Sequence, residues 1–156
     1  MNALAEDYAP AEVGSAFLYT HEAHPGESYP HHDSFERKLA HAQDLRDRLG
    51  VTRPILVDGL DGACHQSFGM MPNMTWIIAR GGVPVYKSDW TDAASVRNAL
   101  EYLTQLVARR KAGARLVPFQ VERVDYRDSD RTAFFAGLER SGPKAVREFE
   151  VFSRAE

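Results

Sequence analysis

The stretch SAFLYTHEAHPGESYPHHDSFERKLAHAQDLRDRLGVTRPILVD, residues 15–58, carries two short apolar runs separated by one amphipathic segment. Ser15–Thr20 has the aromatic enrichment of a buried strand, and Ile55-Leu56-Val57-Asp58 reads as a second one. Between them, Phe35, Leu39, Ala42, Leu45 and Leu49 recur at three- and four-residue steps, which predicts a helix with one apolar stripe. Ser34 is its expected N-cap and Gly50 its C-cap residue. Pro25, Gly26 and Pro30 mark residues 21–32 as an irregular loop. A strand, a helical crossover and a second strand imply parallel pairing.

Working outward, Thr75–Ala79, Arg80-Gly81-Gly82 and Val83–Lys87 form a hairpin pattern, and Pro84 suits an edge strand. Thr91 is the expected cap of a long helix carrying Val96, Leu100, Leu103, Leu106 and Val107. Residues 2–13 read as a helix that Pro10 breaks or redirects. A short turn or helix is expected through Cys64 and Phe68. Beyond Gly113, Leu116–Val124 alternates as a strand would, and Ser129–Glu139 and Pro143–Phe152 suggest two short helices. The expected architecture is α/β, with strand–helix–strand followed by a hairpin, as in a thioredoxin-like three-layer sandwich with a mixed sheet. Residues 1–112 make that domain, and residues 113–156 make a C-terminal extension or dimerisation element.

Composition fits an ordinary folded domain. The 156 residues are 44% hydrophobic and 26% charged, which excludes disordered, collagenous and coiled-coil classes. No apolar run approaches the roughly 20 residues of a membrane span. No secretory signal pattern opens the chain, and its single cysteine cannot form an internal disulfide, so a reducing cytoplasm is the expected compartment. A net charge of −3 favours neither nucleic acid nor an anionic membrane as partner. The charge is unevenly placed: residues 1–36 hold seven acids, four histidines and no lysine or arginine. That segment either is a solvated acidic face or attracts cations.

Residues 17–25, Phe-Leu-Tyr-Thr-His-Glu-Ala-His-Pro, resemble the strand and Glu-Ala-His motif of the iodothyronine deiodinase family. Pro30-His31-His32 is similar to that family's later Pro-x-His, and the likeness runs through Leu56–Asp58, Phe68-Gly69 and Trp76–Lys87, about residues 2–107. The resemblance implies a thioredoxin-like fold and thiol-dependent reduction of a small substrate. It also implies a strand ahead of the first helix, bearing a selenocysteine or cysteine nucleophile, which this sequence does not include. The family's arginine before the hairpin is replaced within Asn73-Met74-Thr75.

The candidate catalytic residues are Glu22, His24 and His32. Glu22 and His24 follow a strand end, where open α/β sheets bind ligands, and a two-residue spacing on extended chain points both to one side. A carboxylate beside an imidazole suits proton transfer. The resemblance places the matching Glu and His, and His32, near the catalytic selenium. Asp58 is expected on the same sheet edge. Cys64, a half-packed cysteine expected to alkylate slowly, is expected there too, and borders the substrate together with Met71 and Pro72. At that loop the resemblance implies a cis proline. No cofactor is expected: His21, His24, His31, His32 and His65 with Glu22 and Asp33 could hold a divalent metal, but their spacing matches no standard cage. The alternatives to the redoxin reading are acid–base or metal-assisted chemistry from the same pocket, and a non-catalytic assembly module. A small molecule and a second copy of the chain are the expected partners.

Overall fold

A computed structural model describes residues 1–153 and shows a mixed α/β protein that divides into two units. One comprises Met1–Ser15 with Asn73–Arg127, and the other comprises Ala16–Pro72 with the chain from Asp128 onward.

In the first unit, α1 (Asn2–Tyr8) ends where Pro10 starts a single 3-10 turn (Ala9–Ala11), so the first helix is shorter than its sequence pattern suggests. Proline supplies no amide to continue the α-helical ladder. Strands β3 (Thr75–Ile78) and β4 (Pro84–Ser88) form the expected antiparallel hairpin, with a register shift at Ile77/Ile78 and Gly81 and Gly82 both at positive φ in the turn. Helix α4 (Ala93–Lys111) buries Val96 and Leu100 against Leu4, with Ile77 and Tyr86 packed alongside. Its cap is Asp92, which accepts the Ser95 amide at 2.8 Å. Thr91, the expected cap, instead bonds Thr75 and the Asn73 carbonyl, which ties it to the base of the hairpin.

The expected strand at 116–124 is not formed. Residues 114–130 have no regular structure, and Val117, Phe119 and Val121 are 84%, 79% and 69% exposed. Pro118 lacks a ladder donor, and the alternating apolar face meets no strand partner among the described residues.

In the second unit, β1 (Phe17–Tyr19) pairs in parallel with β2 (Ile55–Val57), with Phe17 opposite Ile55 and Tyr19 opposite Val57. Helix α2 (Phe35–Leu49) makes the crossover, capped by Ser34 on the Arg37 amide and closed by Gly50 at φ 60°. The inward side of the helix includes Ala42 and the half-buried Leu45 of the expected stripe but is shifted from its centre. Lys38 and Ala42 are buried, whereas Phe35, Leu39 and Leu49 are exposed. Helix α3 (Ala63–Phe68) follows β2, and α5 (Arg131–Ser141) and α6 (Pro143–Ser153) form a helical hairpin broken at Gly142. The expected parallel pair and hairpin are therefore both present, as two separate two-stranded sheets and not as one mixed sheet. The Met71–Pro72 bond is trans, contrary to what the resemblance implies.

Candidate active site

The carboxyl end of β1 delivers Tyr19 and, past the strand, Glu22. The Tyr19 hydroxyl donates to the Glu22 carboxylate and lies 3.3 Å from His32 Nε2. His32 Nε2 is in turn 3.2 Å from Nδ1 of His41, a residue on the second turn of α2. Glu22 Oε1 stands 3.8 Å from the first of these nitrogens and 3.5 Å from the second. The three side chains are 6% (His32), 12% (His41) and 20% (Glu22) exposed, so the cluster is largely shielded from solvent.

Burial sets the protonation of His32 and Tyr19. Burial first, and the His41 ring second, push the His32 imidazole down to about 4, so it is neutral at neutral pH. Burial and then the hydrogen bond to Glu22 hold the Tyr19 phenol protonated, well above its ordinary range. A neutral phenol, a carboxylate and two imidazoles in mutual contact can pass a proton along the chain with small atomic movements.

Glu22 and His32 also line a polar cavity of about 210 Å³. Lys38, Asp58 and His65 line the same cavity. Lys38 is buried and donates to the Gly59 carbonyl at 2.8 Å; burial lowers its pKa against the pull of Asp58 and Asp61. Burial works to raise the Asp58 carboxyl, but the amides of His65, Cys64 and Gly59 and the charge of Lys38 outweigh it and hold the group below the ordinary carboxylate value. His21, another lining residue, holds its ring 5.1 Å from that of His65 at a tilt of 39°, and burial and then that ring lower its pKa.

The structure brings together Glu22, His32 and Asp58 of the residues singled out from sequence, and it separates His24. The chain beyond Tyr19 leaves the extended conformation, so the two-residue alternation that would align His24 with Glu22 is lost. His24 instead packs edge-on against Phe134 and Phe149 at 5.6 and 5.9 Å, and its carbonyl accepts from Ser141 Oγ at 3.0 Å. The expected common pocket of Glu22, His24 and His32 is thus corrected to Glu22 and His32. Cys64 is half-buried beside the cavity floor, its amide donating to Asp58 at 3.1 Å, and is not in the cavity wall. Met71 offers its carbonyl to the His65 ring at 2.9 Å, while its side chain and Pro72 are exposed.

The loop bearing these groups is fastened from beyond residue 128. Glu27 accepts the Lys144 amide at the start of α6, and the Ser28 amide donates to the Ser141 carbonyl at 2.9 Å. Gly26 sits so close to Ser141 that a Cβ there would fall 2.1 Å from the carbonyl oxygen.

His41 is the member that the sequence reading missed. It lies three residues after Lys38 and next to Ala42, on the helix side that turns inward. The expected stripe shares Ala42 with that side but is centred away from His41. Compared with family models, curated proteins and solved structures, the chain matches none.

Proposed function

We propose that the chain is a deiodinase-related, thioredoxin-like protein that carries the proton-handling half of a thiol-dependent reduction of a small molecule. The supporting observation is the Tyr19–Glu22–His32–His41 network at the carboxyl end of a parallel strand, opening on a polar cavity. In such a reaction one thiol of the protein and one of an external thiol reductant are oxidised to a disulfide and give up two electrons and two protons. A disulfide substrate takes up both protons as two thiols; an organic halide takes one on carbon as halide leaves, and the other goes to solvent. The network carries the proton from thiol to substrate. The reading holds if the gene product carries a thiol or selenol on a strand ahead of α1.

The test is reductant-dependent turnover of a small disulfide or organic halide by the full gene product with dithiothreitol. Glu22→Gln and His32→Ala should each lower turnover by about 100-fold, the usual worth of positioned acid–base groups. Turnover equal to wild type in both variants would end this reading. Acid–base chemistry without a thiol is the second reading. It is favoured by the cavity wall, which among the described residues holds histidines and carboxylates but no cysteine. Turnover that needs no reductant would select it.

A further inference from the structure

We propose that Glu22, His32 and His41 bind a divalent transition-metal ion of the zinc class. The inference goes beyond the redoxin reading and does not depend on it. Each residue offers one donor atom, and the three atoms stand 3.2, 3.5 and 3.8 Å from one another. Zinc–nitrogen and zinc–oxygen bonds of about 2.0–2.1 Å in tetrahedral geometry place ligand atoms roughly 3.4 Å apart. The observed triangle is therefore one face of a zinc tetrahedron, already assembled. Two imidazoles and one carboxylate also form the donor set that zinc, iron and cobalt prefer over calcium or magnesium.

Three further features separate this cluster from a solvated group of polar side chains. The donors come from two different elements, a loop and a helix, so their convergence is a property of the fold. All three side chains are mostly buried, where ions compete less with bulk water. The ligands are also held from outside: Tyr19 donates to Glu22, and the Tyr29 ring packs edge-on against His41 at 5.2 Å while its hydroxyl donates to Asp44. Such outer contacts orient metal ligands. Of the other four histidines, His24 packs on the α5–α6 aromatics and His65 bonds the Met71 carbonyl, while His21 and His31 line the cavity without joining the triangle of donors. Because Glu22 and His32 also line the cavity, a small molecule there could reach the ion.

The experiment is titration of the chelator-treated full chain with Zn²⁺ by calorimetry and with Co²⁺ by visible absorption. The expected result is one ion per chain, with the intense bands of four-coordinate cobalt. His41→Gln and Glu22→Gln should each weaken binding by at least about 10-fold, while His24→Gln, away from the cluster, leaves it unchanged. Long-range ¹⁵N spectra of the wild type supply a readout that needs no variant, since the His32 and His41 ring nitrogens should shift on adding Zn²⁺ and that of His24 should not. Absence of stoichiometric binding, or binding undiminished in both ligand variants, would show a hydrogen-bonded polar cluster only and overturn the proposal. Reductant-dependent turnover plays no part in this measurement, so either proposal can fail without the other.

Discussion

Replacing Asp58 with alanine removes the acceptor on which the turn between β2 and α3 is built. Its two oxygens take the Cys64 amide at 3.1 Å and the His65 amide at 2.9 Å, and the residue is 5% exposed. Hydrogen bonds to a charged group contribute about 1.5–3 kcal/mol each, so the pair is worth roughly 3–6 kcal/mol. Part of this is offset, because alanine no longer has to bury a carboxylate, and that burial is the largest single influence on the group. The lowered pKa shows that the amides and Lys38 outweigh the desolvation. A net loss of about 2–4 kcal/mol is expected for Asp58→Ala, a large share of a stability of about 5–15 kcal/mol. Asp58→Asn keeps one acceptor oxygen and should lose about half as much. Urea unfolding followed by circular dichroism at neutral pH gives the difference directly, as a midpoint shift at constant slope. The pH dependence has a fixed sign. The folded-state pKa lies below the unfolded value, so the contribution is complete above about pH 4 and is lost as pH falls through the folded-state value. Wild type should therefore weaken below pH 4 more than Asp58→Ala does. An alanine variant within about 0.5 kcal/mol of wild type at neutral pH would refute the reasoning, since surface substitutions already span that range.

Gly26→Ala forces a carbon against the Ser141 carbonyl and should cost about 1–3 kcal/mol, with faster proteolysis of α5 and α6; an unchanged melting temperature would sink the docking argument. Glu27→Gln should loosen the same contact more mildly, because it keeps one acceptor for the Lys144 amide. Cys64→Ser should leave stability within about 0.5 kcal/mol of wild type, and the thiol should alkylate slowly; rapid labelling would instead make Cys64 a candidate nucleophile. Sedimentation should find the full chain as a dimer, and serine at Val117, Phe119 and Val121 together should shift it to monomer, whereas a monomer in both forms excludes that segment as an interface.

Elements whose signal is local were legible in the sequence. Ser34 and Gly50 cap α2 as read, and Arg80-Gly81-Gly82 turns the hairpin, because caps and tight turns depend on a few adjacent residues. The parallel pairing of β1 and β2 followed from a crossover of suitable length. What failed depended on distant partners. Alternation at 116–124 describes a strand only if a ladder exists to receive it, and none does among the described residues. The stripe of α2 located the inward side in part: Ala42 and Leu45 are buried or half-buried, but Phe35, Leu39 and Leu49 are exposed because Lys38, buried and bonded to Gly59, takes an inward place beside them. Glu22 and His32 were legible through the motif they sit in. His41 was not, since its role arises only when α2 folds back over the loop.

The two units differ in what keeps them folded, and this bears on every test of the site. The first has an apolar centre of Leu4, Val96 and Leu100. The second holds all four of the buried polar residues among those described: Lys38, Asp58, His65 and Ser141. Its sheet is a single parallel pair, in which Phe17 and Tyr19 bond β2 while the amide and carbonyl of Leu18, by the alternation of a parallel ladder, face away. A two-stranded sheet is marginal alone. The second unit buries Tyr19, Ala42, Leu138 and Ala145 and adds to them hydrogen bonds at and beside the cavity wall, namely Lys38 to Gly59, Asp58 to α3 and His65 to Met71. The groups that shape the cavity are also the groups that stabilise the unit around it. A drop in activity on changing one of them has two possible origins, and only an unfolding curve measured on the same variant separates chemistry from collapse. Glu22 and His41 are the cleaner probes, because none of these three stabilising contacts passes through them.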